Sequence, residues 1–170
     1  KDLALWKFNR YIKDYLRTIQ SVDDGVGKVL NYLDDEDLTE NTIVIYTSDQ
    51  GFYLGEHGWF DKRFMYEESI RMPFIIKYPG KIKPNTINED IITNIDFAPT
   101  ILDIAGINIP VSVQGNSFLN NLTENKNENW RQSMYYHYYE YPFYHHVQPN
   151  YRIRNKRYKL IHFYYNIDVW

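Results

Sequence analysis

The residues best suited to chemistry in this sequence lie in one short stretch, YTSDQGFYLGEHGWFDKR, from Tyr46 to Arg63. Asp49 and Gln50 set a carboxylate beside a carboxamide, two hard oxygen donors of the kind that Ca²⁺ or Mg²⁺ takes. Gly51 follows, and a glycine there lets the backbone turn sharply. Glu56, His57, Asp61, Lys62 and Arg63 come soon after. The Lys62 ammonium is a fixed positive charge able to hold a tetrahedral oxyanion such as sulfate or phosphate. His57 can donate to the same anion or act on a leaving group. Each residue also has an ordinary reading: a turn-capping Asp, a solvated Lys, a loop His bonded to backbone. Taken together, and placed after an apolar run, they point to an anion-plus-metal site.

Those residues need a rigid support, and the apolar pattern supplies one. TIVIYTSD (Thr42 to Asp49) is a continuous β-branched run, expected to be a strand buried on both faces of a parallel sheet. Ligands of open α/β sheets bind beyond the carboxyl ends of such strands, where Asp49 and Gln50 stand. From Leu5 to Leu33, apolar residues recur at three- and four-residue steps, which predicts a helix that Gly25 and Gly27 weaken. A short helix over Phe64–Ile70, a second strand over Met72–Gly80 and a helix over Thr93–Gly106 stopped by Gly106 follow. NSFLNNL predicts one more helical turn. The tail changes character: SMYYHYYE, YRIRNK and RYKLIHFYY alternate as strands, with Asn155-Lys156 as a hairpin turn. The expected fold class is therefore α/β layers followed by a small antiparallel sheet, with a boundary that gives domains of 1–128 and 129–170.

Composition narrows the function classes. The chain has 170 residues and 44% hydrophobic residues, enough for a globular core rather than disorder. Its formal charge of -3 argues against a nucleic-acid partner. No apolar run approaches the roughly 20 residues of a membrane span. The absence of cysteine removes thiolate metal sites and a Cys nucleophile from these residues. The chain opens Lys1-Asp2-Leu3, so a processed chain or a fragment is expected.

The segment TIVIYTSDQGFYLGEHGWFDKRFMYEESIRMPFIIKYPG closely resembles the C-terminal half of the type I sulfatases of the alkaline-phosphatase-like superfamily. YLRTIQSVDDGVGKVLNYLDD, NIDFAPTILDIAG, WRQSMYYHYYEYP and RYKLIHFYYNIDVW are similar to further family segments, in the family's order. The resemblance implies that Asp49 and Gln50 bind a divalent cation, usually Ca²⁺ with Mg²⁺ as the alternative. It implies that Lys62 contacts the sulfate and the bridging oxygen. His57, in a Gly-Glu-His-Gly stretch of one family branch, is the second candidate catalytic residue. Glu67, Glu68 and Arg71 correspond to a helix held by structural ion pairs.

One departure matters for activity. The family's nucleophile is a formylglycine made from Cys or Ser in a Cys/Ser-x-Pro-x-Arg motif. None of Ser21, Ser48, Ser69, Ser112, Ser117 or Ser133 has Pro two residues later. The resemblance thus implies a C-terminal piece with part of the site, inactive alone, from a sulfuric ester hydrolase acting on sulfated carbohydrate. The alternatives are a phosphoester or phosphonate hydrolase of the same superfamily, or a non-catalytic module. Its partner would be a small-molecule or oligosaccharide sulfate ester, and export to a periplasmic or extracellular compartment is implied by the family alone. Homo-oligomerisation through an exposed sheet edge is a further expectation.

Met134 to Val147 holds seven aromatics and three histidines. Most of these tyrosines are expected to pack as a half-buried strand with wet hydroxyls. His137 is the exception, because the resemblance places its strand near the substrate mouth and makes it a candidate substrate-binding residue. His145 and His146 could likewise serve sugar hydroxyls, but they also have the spacing of a loop, where the ordinary reading is a solvated pair.

Overall fold

The computed structural model describes residues 2–123, 128–142 and 144–165. Two compact units emerge, Lys1–Tyr46 with Ile75–Gly80, and Thr47–Phe74 with Lys81–Trp170. The first unit is led by helix α1, Asp2–Asp35. It runs through Gly25 and Gly27 without a break. No atom lies within 4 Å of where a Cβ would stand at either glycine, so the packing demands neither. Their propensity cost of about 1 kcal/mol each is spread over a long helix of better formers.

Strand β1, Val44–Thr47, continues from this unit. The sequence predicts burial on both faces, but Ile45 and Tyr46 are exposed. The physical reason is sheet width: among the described residues β1 has β4, Phe74–Lys77, as its one sheet neighbour. No residue of α1 is buried, and Trp6, Leu16 and Val29 stand 62%, 57% and 58% exposed. Apolar surface left open on this scale drives association. These 170 residues produced alone are expected to self-associate in light scattering; a clean dilute monomer would contradict that expectation.

The second unit carries the remaining elements. Strands β2, Tyr53–Leu54, and β3, Phe60–Asp61, pair antiparallel around a short 3-10 turn, Glu56–Gly58. Helix α2, Glu67–Ile70, is shorter than the Phe64–Ile70 span that the sequence predicts. Its start is held back because Tyr66 is extended and the Phe64 carbonyl accepts a hydrogen bond from the Tyr53 hydroxyl at 2.6 Å. Helix α3, Phe97–Ile104, is entered through a 3-10 turn, Asn94–Asp96, and Gly106 takes the left-handed conformation (φ 68°) that ends it. Helix α4 is Leu119–Leu122. Phe74, Phe97 and Phe118 form an aromatic triangle with centroids 5.5 to 5.9 Å apart, and buried Trp130 donates its indole N–H to the Ile91 carbonyl at 2.8 Å.

Strands β5, Ser133–Tyr138, β6, Asn150–Asn155, and β7, Lys159–Phe163, form an antiparallel sheet in that order. The β6–β7 turn falls where predicted, because the Asn155 side-chain oxygen accepts the backbone N–H groups of Arg157 and Tyr158. Period-two alternation separates two faces. One carries Tyr135, His137, Tyr151, Ile153, Leu160 and His162; the other carries Tyr136, Arg152, Arg154 and Lys159.

The second face is fastened to α2 by charge. Arg154 forks onto Glu67 at 3.0 and 3.1 Å, and Lys159 reaches the same carboxylate at 2.9 Å and the Met65 carbonyl at 2.6 Å. Burial alone would push the Glu67 carboxyl up, but the hydrogen bonds from Arg154 and Lys159 outweigh it and hold it below its usual 4.5. A carboxyl lowered on folding stabilises the folded state above its ordinary value, and that stability is lost as pH falls through the folded value. Melting temperature should therefore drop below about pH 4.5, and Glu67→Gln should flatten that part of the profile. An identical slope in the Gln variant would show that other carboxylates carry the acid sensitivity.

Candidate active site

The site is organised by a residue that the sequence does not advertise. Ser69, in α2 and 2% exposed, meets both halves of the candidate constellation. Its carbonyl accepts the Gln50 side-chain N–H at 2.5 Å and the Gly51 backbone N–H at 3.0 Å. Its hydroxyl donates to the Lys62 carbonyl at 2.5 Å, and the Gln50 amide nitrogen lies 3.3 Å from that hydroxyl. Gln50-Gly51 and Lys62, eleven or more positions apart in the chain, are thereby tied to one buried turn.

Gly51 is what permits the approach. A Cβ built there would lie 2.1 Å from the Glu68 carbonyl oxygen and 2.8 Å from the Ser69 carbonyl. These are backbone atoms that cannot swing aside. Gly51→Ala is expected to cost about 1–3 kcal/mol in chemical denaturation, the usual penalty of overpacking. A variant as stable as the parent would show that the loop relaxes freely.

The Asp49 side chain is exposed and Gln50 is half-buried. With the Gln50 nitrogen committed to Ser69, its side-chain oxygen is the end left to accept or to bind a cation. Lys62 is half-buried beside β3. Among the described residues neither the Asp49 carboxylate nor the Lys62 ammonium has a protein hydrogen bond or ion pair, so both are available to a ligand. No three His, Cys, Asp or Glu side chains gather as a metal site among the described residues.

His57 sits in the 3-10 turn with left-handed backbone (φ 58°). Its ring stacks on Tyr66 with centroids 4.5 Å apart, and Nε2 lies 3.3 Å from the Glu68 carboxylate, next to Ser69. Beneath it Tyr53 is 1% exposed and touches the rings of His57, Trp59 and Tyr66 edge-on. Burial pushes the Tyr53 hydroxyl up, and its bonds to the Phe64 carbonyl and the Tyr66 N–H fix it as a strut for the loop.

His137 is not brought to this group. It lies on β5, where Nδ1 meets the Tyr135 hydroxyl and Nε2 the Tyr164 hydroxyl, each at 3.0 Å, and its ring stacks on Tyr139 at 3.7 Å. His145 lies in a turn, as the sequence predicts, but it is not merely solvated: its Nδ1 lies 3.0 Å from the Asp61 carboxylate, which Arg63 also holds. Asp61 has φ 96°, an uncommon backbone state for a non-glycine residue, immediately before Lys62.

Known proteins resemble this chain in sequence and fold. The family described as N-sulphoglucosamine sulphohydrolase, C-terminal, matches residues 55–170. An N-acetylglucosamine-6-O-sulfatase of Bacteroides thetaiotaomicron is 53% identical over all of this chain, which spans 31% of that protein's length. An extracellular sulfatase SULF-1 homolog of Drosophila melanogaster is 42% identical over 61% of this chain and 9% of its own length. A solved structure in complex with its substrate D-glucosamine-2-N,6-O-disulfate matches 97% of this chain and 34% of its own, with a TM-score of 0.91 at 53% identity. A phosphonate monoester hydrolase from Silicibacter pomeroyi matches less well, at TM-score 0.73 and 29% identity over 84% of this chain and 30% of its own. The fold is alkaline-phosphatase-like, and the chain belongs to the sulfatase family, in which residues 55–170 form the C-terminal region.

Proposed function

We propose that this chain is the C-terminal, metal- and anion-contacting part of a longer sulfuric ester hydrolase that acts on sulfated carbohydrate. The observation that supports the proposal is Ser69, which ties Gln50, Gly51 and the Lys62 backbone to one turn. The name of the Bacteroides relative makes 6-O-sulfated N-acetylglucosamine the first substrate to test.

The donor set fits a hard cation in part. Asp49 and the Gln50 side-chain oxygen would hold Ca²⁺, with Mg²⁺ as the alternative, and the remaining ligands would come from the rest of the enzyme. The cation would withdraw charge from the transferring group, and a formylglycine elsewhere in the longer chain would be the nucleophile. Lys62 would place its ammonium on the ester's oxygens and stabilise charge that builds on the bridging oxygen. His57, held at Nε2 by Glu68 and stacked on Tyr66, would have its other ring nitrogen, Nδ1, to serve the leaving alcohol. His137 would contact sugar hydroxyls only by exchanging its tyrosine partners, which makes it the weakest member of the proposed set.

We also propose residues 129–170 as a small antiparallel subdomain and 1–128 as part of the catalytic domain, because strands without helices begin at Ser133. Secretion to the periplasm or the exterior is proposed from the extracellular sulfatase among the relatives. No helix among the described residues is long and apolar enough to cross a membrane.

The test is hydrolysis by the longer enzyme of 6-O-sulfated N-acetylglucosamine against its 6-phosphate analogue. Faster sulfate release is expected. Preference for the phosphate would move the protein to the phosphoester or phosphonate branch, the reading that the Silicibacter likeness keeps open. Neither reaction would leave a non-catalytic module.

A further inference from the structure

Consecutive residues of α2 hold different parts of the molecule. Glu67 is taken by Arg154 and Lys159 of the antiparallel sheet. Ser69 holds Gln50, Gly51 and the Lys62 backbone. Glu68, between them, is half-buried, and its carboxylate meets Nε2 of His57 at 3.3 Å. Its backbone also borders the candidate pocket, since the Cβ that Gly51 lacks would collide with the Glu68 carbonyl oxygen. One residue therefore touches both the turn after Gln50 and the His57 ring.

The remaining contacts of His57 fix its plane. The ring stacks on Tyr66 with 27° between the planes and meets Tyr53 edge-on with centroids 6.2 Å apart. Aromatic neighbours of this kind do not distinguish one ring nitrogen from the other. A carboxylate does, because the hydrogen bond made by one nitrogen decides which of the two carries the proton in the neutral ring. With Nε2–H donated to Glu68, Nδ1 is the nitrogen left for another partner, and it has no protein partner among the described residues.

We propose that Glu68 is a positioning residue for the leaving-group step, holding Nε2–H of His57 and so dedicating Nδ1 to the bridging oxygen of the ester. The inference rests on the sulfate-ester reading above, with the role given there to His57, and names the residue that orients it. In this step the bond between sulfur and the bridging oxygen breaks, and its electron pair stays on that oxygen. The sulfuryl group passes to the nucleophile of the longer chain. The Nδ1 proton of the imidazolium passes to the bridging oxygen, so the alcohol leaves neutral. The ring remains as a neutral imidazole with its proton on Nε2, still donated to Glu68. Because Glu68 acts through His57, its effect should appear only where the leaving group needs a proton. A sugar alkoxide needs one, and a nitrophenolate does not.

The experiment compares steady-state kinetics of the longer enzyme on 6-O-sulfated N-acetylglucosamine and on para-nitrophenyl sulfate, for Glu68→Ala, Glu68→Gln, His57→Gln and the double variant His57→Gln with Glu68→Ala. On the sugar ester, Glu68→Ala is expected to lower kcat about tenfold with KM within about twofold, and His57→Gln to lower it about a hundredfold. On the nitrophenyl ester both should stay within about threefold of the parent. Glu68→Gln keeps an acceptor oxygen for Nε2 and should recover to within about threefold on the sugar ester. The double variant should be no slower than His57→Gln alone, within about twofold. Parental kcat in Glu68→Ala on the sugar ester would overturn the proposal, as would equal losses on both esters or losses that multiply in the double variant. If the parent does not cleave the nitrophenyl ester, the double-variant comparison on the sugar ester decides alone. If Glu68→Ala does not fold, Glu68→Met, of similar length and without an acceptor oxygen, must show the same loss. Parental rates in His57→Gln would overturn the proposal and leave the sulfate-ester reading standing. A parent that releases sulfate from neither ester would overturn both.

Discussion

Lys62→Ala in the longer enzyme is expected to lower kcat/KM for a sulfate ester by about a hundred- to a thousandfold, the range found when one preorganised donor to a developing charge is removed. The same variant should melt close to the parent, because the Lys62 ammonium has no partner among the described residues whose loss would cost stability. Its backbone is held independently through the carbonyl that accepts the Ser69 hydroxyl. The substitution thus separates chemistry from folding. Restoring the charge as arginine should recover little, since a planar guanidinium does not replace a compact ammonium at a fixed point. Steady-state kinetics with sulfate release as readout checks this. A kcat/KM within about threefold of the parent would remove Lys62 from the charge-stabilising role.

Asp96→Ala is expected to destabilise the protein by about 3–5 kcal/mol, the cost of stripping one partner from a buried ion pair. Asp96 is fully buried. Its carboxylate accepts the Thr93 N–H at 2.8 Å, the Thr93 hydroxyl at 2.9 Å, the Asn116 N–H at 2.9 Å and the Arg131 fork at 2.6 and 2.7 Å. Alanine would strip the Thr93 and Asn116 N–H groups of their acceptor and leave the Arg131 guanidinium, which also covers the Trp130 ring, with the Thr93 hydroxyl in place of a carboxylate. Gly115 belongs to the same construction: a Cβ there would lie 1.9 Å from the Ile95 carbonyl oxygen, so only glycine lets Asn116 reach Asp96. Asp96→Asn, which keeps the shape, should cost less than Ala. Urea denaturation gives the comparison, and a loss under about 1 kcal/mol for Ala would show that water replaces the carboxylate.

Local pattern reached far in this chain. The 3.6-residue period located α1, the Gly106 stop located the end of α3, and two-residue alternation located β5 to β7. What the pattern could not supply is pairing over distance. Ser69 is a small polar residue in EESI, and nothing local distinguishes it from a solvent-facing serine; its meaning comes from Gln50, Gly51 and Lys62 arriving from elsewhere. The contact of His145 with Asp61 was illegible for the same reason, since Asp61 lies far upstream. The exposed faces of β1 were not legible either, because an apolar run predicts burial without stating what provides it. Asp49 and Lys62 could be put forward from the sequence alone because their chemical types and their place after a strand carry information by themselves.

The central claim is that one loop delivers a cation-ligand pair and an ammonium group to a single anion. Ligands that share a pocket in this way must help each other, and the help must be reciprocal. The direct measurement is calorimetric Ca²⁺ affinity of the longer enzyme with and without saturating inorganic sulfate. Sulfate is predicted to tighten Ca²⁺ binding by about fivefold or more, with the enhancement abolished by Asp49→Ala and by Lys62→Ala. Ca²⁺ and sulfate affinities that do not respond to one another, in a protein that binds both, would contradict the account.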